Sequence, residues 1–250
     1  MTETLRMWIE VVFDVLYLVV IWGVVNAMFR RRSVVRSGDR LVAELAMVAF
    51  LLLALGDSAH VGFRVLAYAA GGGASSLSWL GGQWALLGLG TLTTAVTVTL
   101  FYVLMLAIWR ARFGKQYGPF EHLLFLAALV RLILLAVPEN QWYSAVPPWP
   151  WALIRNLPLL VQGLGVACLF MRDARAGRDR TFWWIGIMIL VSFACYMAVV
   201  LFIKQVPLIG MLMIPKTVAY VVACLLAYRA LYQARPAAAG APAVAQSGDL

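Results

Sequence analysis

The chain has 250 residues, 64% hydrophobic and 12% charged, with mean hydropathy +0.88 and formal charge +9. Apolar runs of about 20 residues match the thickness of a bilayer's hydrocarbon core, so this composition excludes a soluble domain and reads as an integral membrane protein. The basic residues sit in short connections between apolar runs, not on one soluble face, which argues against nucleic acid as a partner.

Span 1 is predicted from about Met7 to Phe29, with Glu10, Asp14 and Tyr17 at i, i+4 and i+7 on one helical face. Arg30, Arg31, Arg32, Arg36 and Arg40 follow it. Span 2 starts near Leu41 and ends before the Gly71–Ser76 loop. Its second half carries Asp57, His60 and Arg64 at i, i+3 and i+7, again one face. Ionisable groups at bilayer depth are costly and turn toward the protein interior, so this stripe is the first candidate site.

Span 3 is predicted over Gly81–Trp109, with Gly81, Gly82, Gly88 and Gly90 allowing close helix contact and a run of threonines able to bond back to their own backbone. Arg110, Arg112 and Lys115 close it. Span 4 covers Pro119–Val137 and contains Arg131. The aromatic and proline-rich stretch Pro138–Trp151 reads as a stiff cap at the membrane interface. Span 5 covers Ala152–Met171, with Arg155, Asn156 and Pro158 near its start, and Arg172, Arg175, Arg178 and Arg180 after it. Span 6 covers Thr181–Ile203. Span 7 covers Pro207–Tyr232 and holds Pro215, Lys216 and Tyr220. Pro158 and Pro215 are expected to kink their helices beside a cation. Residues 234–250 read as a disordered cytoplasmic tail after a single domain over 1–233. Cys168, Cys195 and Cys224 all fall in apolar segments and read as packing residues.

The connections after spans 1, 3 and 5 are basic. Those after spans 2 and 4 carry no Lys or Arg, and the one after span 6 has only Lys204. The fold expected is therefore all-α: a seven-transmembrane-helix bundle, N-terminus outside and C-terminus cytoplasmic, in the cytoplasmic (inner) membrane. In that frame Glu10, Asp14, Asp57, His60, Arg64, Arg131, Arg155, Asn156 and Lys216 fall in the outer half, and Tyr220 lies one turn beyond Lys216. Three acids face four fixed cations, which favours an anionic guest, with the bilayer and an anionic lipid or small solute as partners.

Two other classes compete with binding for transport or sensing. The layer could be a membrane-embedded enzyme acting on a lipid or head group, with His60 as base oriented by Asp57. It could equally be a structural ion-pair network in an assembly protein. The surrounding cations argue against a metal at His60. No cofactor is expected. A retinal Schiff base on Lys216 is disfavoured, because span 3 has no carboxylate and Leu212 stands four residues before the lysine.

Gly56-Asp-Ser-Ala-His-Val-Gly-Phe-Arg64, Ile154-Arg-Asn-Leu-Pro158 and Ile214-Pro-Lys-Thr-Val-Ala-Tyr220 resemble a family of uncharacterised bacterial seven-span proteins. Its members carry Gly-Asp-x-x-His-x-x-x-Arg in helix 2 and Ile-Pro-Lys-Thr in helix 7. Phe63 stands where that family has proline. The resemblance implies the seven-span fold and brings no activity. The His-x-x-x-His of the alkaline-ceramidase and progestin-receptor hydrolases has no counterpart in span 7.

Overall fold

The computed structural model describes residues 3–70, 75–79, 82–144 and 148–233. About 85% of it is helical, and seven helices are long and apolar enough to cross a membrane. They run as α1 (Glu3–Arg30), α2 (Arg40–Ala69), α3 (Leu86–Phe113), α4 (Pro119–Ala136), the pair α5 (Trp149–Ile154) and α6 (Leu157–Ala176), α7 (Arg180–Phe202) and α8 (Met213–Tyr232). Many large apolar side chains remain exposed on their outer faces, for instance Leu16, Leu129, Ile133 and Trp184. Such a surface suits lipid, where an aqueous protein would hide it. The tail lies outside the described residues, as do Gly71–Ala74 of the Gly71–Ser76 loop and the side chain of Glu10.

The threonines of α3 bond back as expected: Thr91, Thr93, Thr94, Thr97 and Thr99 each donate to the carbonyl four residues earlier, at 2.7–3.1 Å. Their hydroxyls are thereby satisfied inside an apolar helix. Thr94 also reaches the Gly56 carbonyl of α2 at 3.2 Å. At Gly56 a Cβ would stand 1.9 Å from the Thr97 hydroxyl, so only glycine permits this approach of α2 to α3. At Gly88 a Cβ would meet the Trp142 carbonyl oxygen at 2.1 Å, which lets the cap after α4 rest on α3.

Four expectations are corrected. Span 3 does not begin at Gly81: Ser76–Trp79 (β1) and Gly82–Ala85 (β2) form an antiparallel hairpin before it, with Leu77 opposite Trp84 and Ser78 opposite Gln83. Polar and apolar residues alternate there, and Gln83 donates to Ser78 at 2.8 Å across the strands. Gly82 thus belongs to a strand, Gly81 is outside the described residues, and the helix starts only at Leu86.

Second, span 5 starts earlier, at Trp149, and is not one helix: it is interrupted at Arg155–Asn156 between α5 and α6, beside Pro158, where a kink was expected. Pro158 has no N–H to offer the Ile154 carbonyl, so the helical ladder cannot run through this point. Third, Pro215 kinks nothing. It is the third residue of α8, after a 3₁₀ turn over Pro207–Leu212, where a backbone N–H would have no intrahelical partner anyway. Fourth, Cys168 is exposed on its helix, and only Cys224 of the three free cysteines is buried.

The three basic connections meet at one end of the bundle. Arg112, near the end of α3, holds Asp39 before α2 at 2.7 Å and Asp179 before α7 at 2.8 Å. Beside it, Trp109 donates to buried Asp173 at 2.8 Å, and Arg172 pairs with the same carboxylate. The hairpin, the cap and the 3₁₀ turn before α8 follow the other ends of the helices.

Candidate functional site: a charged cavity inside the bundle

A cavity of about 360 Å³ opens between the helices, away from the basic end. The charged stripe of α2 lies on its wall. Arg64 donates to Asp14 of α1 at 3.1 Å and, through its other terminal nitrogen, to His60 Nε2 at 3.0 Å. An arginine can only donate, so His60 Nε2 accepts and the proton of a neutral ring sits on Nδ1. Asp57 accepts a 2.5 Å bond from the buried Tyr17 hydroxyl. The first half of the wall is thus built from α1 and α2, by the two i, i+3/i+4 stripes that face each other.

The opposite wall is cationic. Arg131 of α4 is only 2% exposed, yet among the described residues it meets no carboxylate. Its terminal nitrogens donate to Thr99 at 3.1 Å and to Asn156 at 3.3 Å, and its Nε has no hydrogen-bond partner among the described residues. Asn156 is held in turn by its own bond to the Ala152 carbonyl at 2.7 Å. The break between α5 and α6 is what turns Arg155 and Asn156 toward this wall together. Arg155 donates to Asn140 at 3.2 Å and lies over the Trp142 ring at 4.5 Å. The cap after α4 therefore folds inward to support a cation, with Trp142 buried and its indole N–H on the Leu135 carbonyl.

Lys216, in the first turn of α8, lies over the rings of Tyr196 and Tyr220 at 5.1 and 5.8 Å. Tyr220 shares a 2.9 Å hydroxyl contact with buried Tyr102.

Of the sequence-based candidates, Asp14, Asp57, His60, Arg64, Arg131, Arg155, Asn156, Lys216 and Tyr220 all line this one cavity. Glu10 lies on α1 with its side chain outside the described residues. His122 stays apart, in the first turn of α4 with a ring nitrogen 2.7 Å from the Gly118 carbonyl, while Glu121 caps that helix by accepting from the Gly118 N–H. Sequence reasoning left out Tyr17, Ser192 and Tyr196 as lining residues. Tyr17 was visible one turn beyond Asp14. Ser192 and Tyr196 form an i, i+4 polar pair in an otherwise apolar span, a signal weaker than charge. Trp142 and Asn140 had no local signal, since their role depends on the cap folding back.

Among the described residues, no cluster of three or more His, Cys, Asp or Glu side chains could hold a metal ion. The chemistry on offer is that of fixed charges, hydroxyls and aromatic faces in a confined space. Seven membrane-length helices around such a cavity define a multi-pass membrane protein with a polar interior. Compared with protein-family models, with curated proteins and with solved structures, the chain matches none of them.

Proposed function

We propose that the cavity binds a small anionic solute or the head group of an anionic amphiphile, for transport or for sensing. One observation carries this reading. Arg131, Arg155 and Lys216 face the same cavity, and among the described residues none lies within 4.0 Å of a carboxylate. Buried cations normally recover their desolvation cost by pairing. Three that bond only to neutral groups and aromatic rings leave a positive field for an anion to fill. A purely structural network would bring carboxylates into contact with these cations, and among the described residues no such contact is made. The enzyme alternative has less support, because the Nε2 lone pair of His60 is occupied by Arg64.

The orientation that accompanies this reading puts the cavity in the outer half of a cytoplasmic membrane, since the three basic connections converge at the opposite end. A single cysteine at Ser75, in a background lacking the native three, is expected to react with an impermeant reagent from outside intact cells. Reaction only after the cells are opened would reverse the orientation.

For binding itself, titration of the detergent-purified protein with inorganic phosphate and with a short-chain phosphatidic acid should show saturable heat. Arg155→Ala should weaken the better of the two at least tenfold, equivalent to about 1.4 kcal/mol. Unchanged affinity in a variant that still folds would remove the anion-binding reading.

A further inference from the structure

The charges around the cavity are sorted by sign. Asp14 and Arg64 are already closed into a pair. Of the rest, Asp57 stands on α2, while Arg131, Arg155 and Lys216 come from α4, the α5–α6 junction and α8. Among the described residues, Asp57 accepts from Tyr17 alone. Lys216 acts on it through space, but among the described residues no cation lies within 4.0 Å of it. The cations meanwhile sit near enough for Arg131 to feel both Arg155 and Lys216.

A network serving only to staple helices would be expected to close Asp57 onto one of these cations, since contact is what offsets the desolvation of two buried charges. Here the carboxylate is steered by a hydroxyl, the cations by amides and aromatic rings, and both kinds are left facing one space. Their own polar partners hold them in place without neutralising them.

We infer that the cavity recognises a small zwitterion, an aminoalkyl phosphate, with its phosphate on Arg131, Arg155 and Lys216 and its ammonium on Asp57. This rests on the anion-binding reading above and narrows it. Two guanidinium forks and an ammonium group match the several oxygens of a phosphate, where a carboxylate offers two. Asp57, an acceptor only when ionised, is the matching partner for an ammonium group. A volume of about 360 Å³ lies in the range of small-molecule sites. Val61, Leu159 and Phe193, which also line the cavity, give apolar surface for the short alkyl linker. The group can arrive as a free aminoalkyl phosphate, a monoester, or as a lipid head group, a diester with one negative charge, and both sources share the ammonium and the anionic phosphate oxygens.

The test compares phosphoethanolamine with ethyl phosphate, which has a similar size and the same phosphate but no amine, on the full-length protein in detergent. Wild type should bind phosphoethanolamine at least tenfold more tightly. Asp57→Asn should bring phosphoethanolamine down to the level of ethyl phosphate, and Tyr17→Phe should reduce the preference in part. Equal binding of both ligands by wild type would overturn the zwitterion and leave the anion-binding reading standing. So would a preference that survives in Asp57→Asn. Failure of either ligand to bind would overturn both readings. Should Asp57→Asn not fold, the wild-type ratio and the Tyr17→Phe ratio decide. A dihexanoyl phosphatidylethanolamine arm fixes the source. Tighter binding than phosphoethanolamine assigns the lipid head group and weaker binding assigns the free solute, and both support the zwitterion.

Discussion

Replacing Arg131 with alanine is expected to weaken anion binding by about 30-fold or more, the effect of removing roughly 2 kcal/mol or more from a buried charged contact. Arg131 is the most deeply buried described cation of the cavity and, among the described residues, uses two of its five N–H groups on protein partners. It interacts through space with both Arg155 and Lys216, so its loss weakens the positive field of the whole wall. Arg131→Lys should recover part of the affinity, because it keeps the charge and loses the fork. Isothermal titration with inorganic phosphate measures both. An alanine variant that is more heat-stable than wild type and binds phosphate equally well would show that the arginine is only an electrostatic burden.

The second large effect is expected at Gly56. A valine there places its Cβ against the Thr97 hydroxyl and Cβ, at 1.9 and 2.9 Å, so α2 and α3 must separate. Overpacking of this kind costs about 1–3 kcal/mol in a close-packed interior. Asp57 is the next residue, and the same shift carries it away from Tyr17. Gly56→Val should therefore lower both the thermal midpoint and the ligand affinity. Gly62→Ala, on the same helix with open space around it, is the control and should change neither by much. Equal midpoints for the two variants would mean that the α2–α3 seam yields more easily than its geometry implies.

Much of the architecture was legible because a bilayer is a demanding solvent. Length and apolarity alone mark the seven spans, and the alternation of strongly basic connections with ones holding at most one Lys or Arg sets their expected order across the membrane. The stripes Asp14–Tyr17 and Asp57–His60–Arg64 were readable for a related reason. A helix repeats every 3.6 residues, so charges spaced by three and four must share a face, and lipid pushes that face inward.

What the residues could not disclose by themselves was how the faces are closed against one another. Nothing local distinguishes Arg64, which finds Asp14 some fifty residues away, from Arg131, which finds only a threonine and an asparagine. The inward fold of Trp142 and Asn140 onto Arg155 and the hairpin before α3 depend on packing between segments distant in sequence. The prolines point the same way. Pro158 and Pro215 were expected to act alike, but one interrupts a ladder and the other sits in a first turn where no bond is lost. Composition and periodicity determine which residues must leave the lipid, because that cost is paid residue by residue. Which of them pair, and which are left facing a cavity, is decided only by the tertiary structure, because pairing depends on distances that no single helix contains.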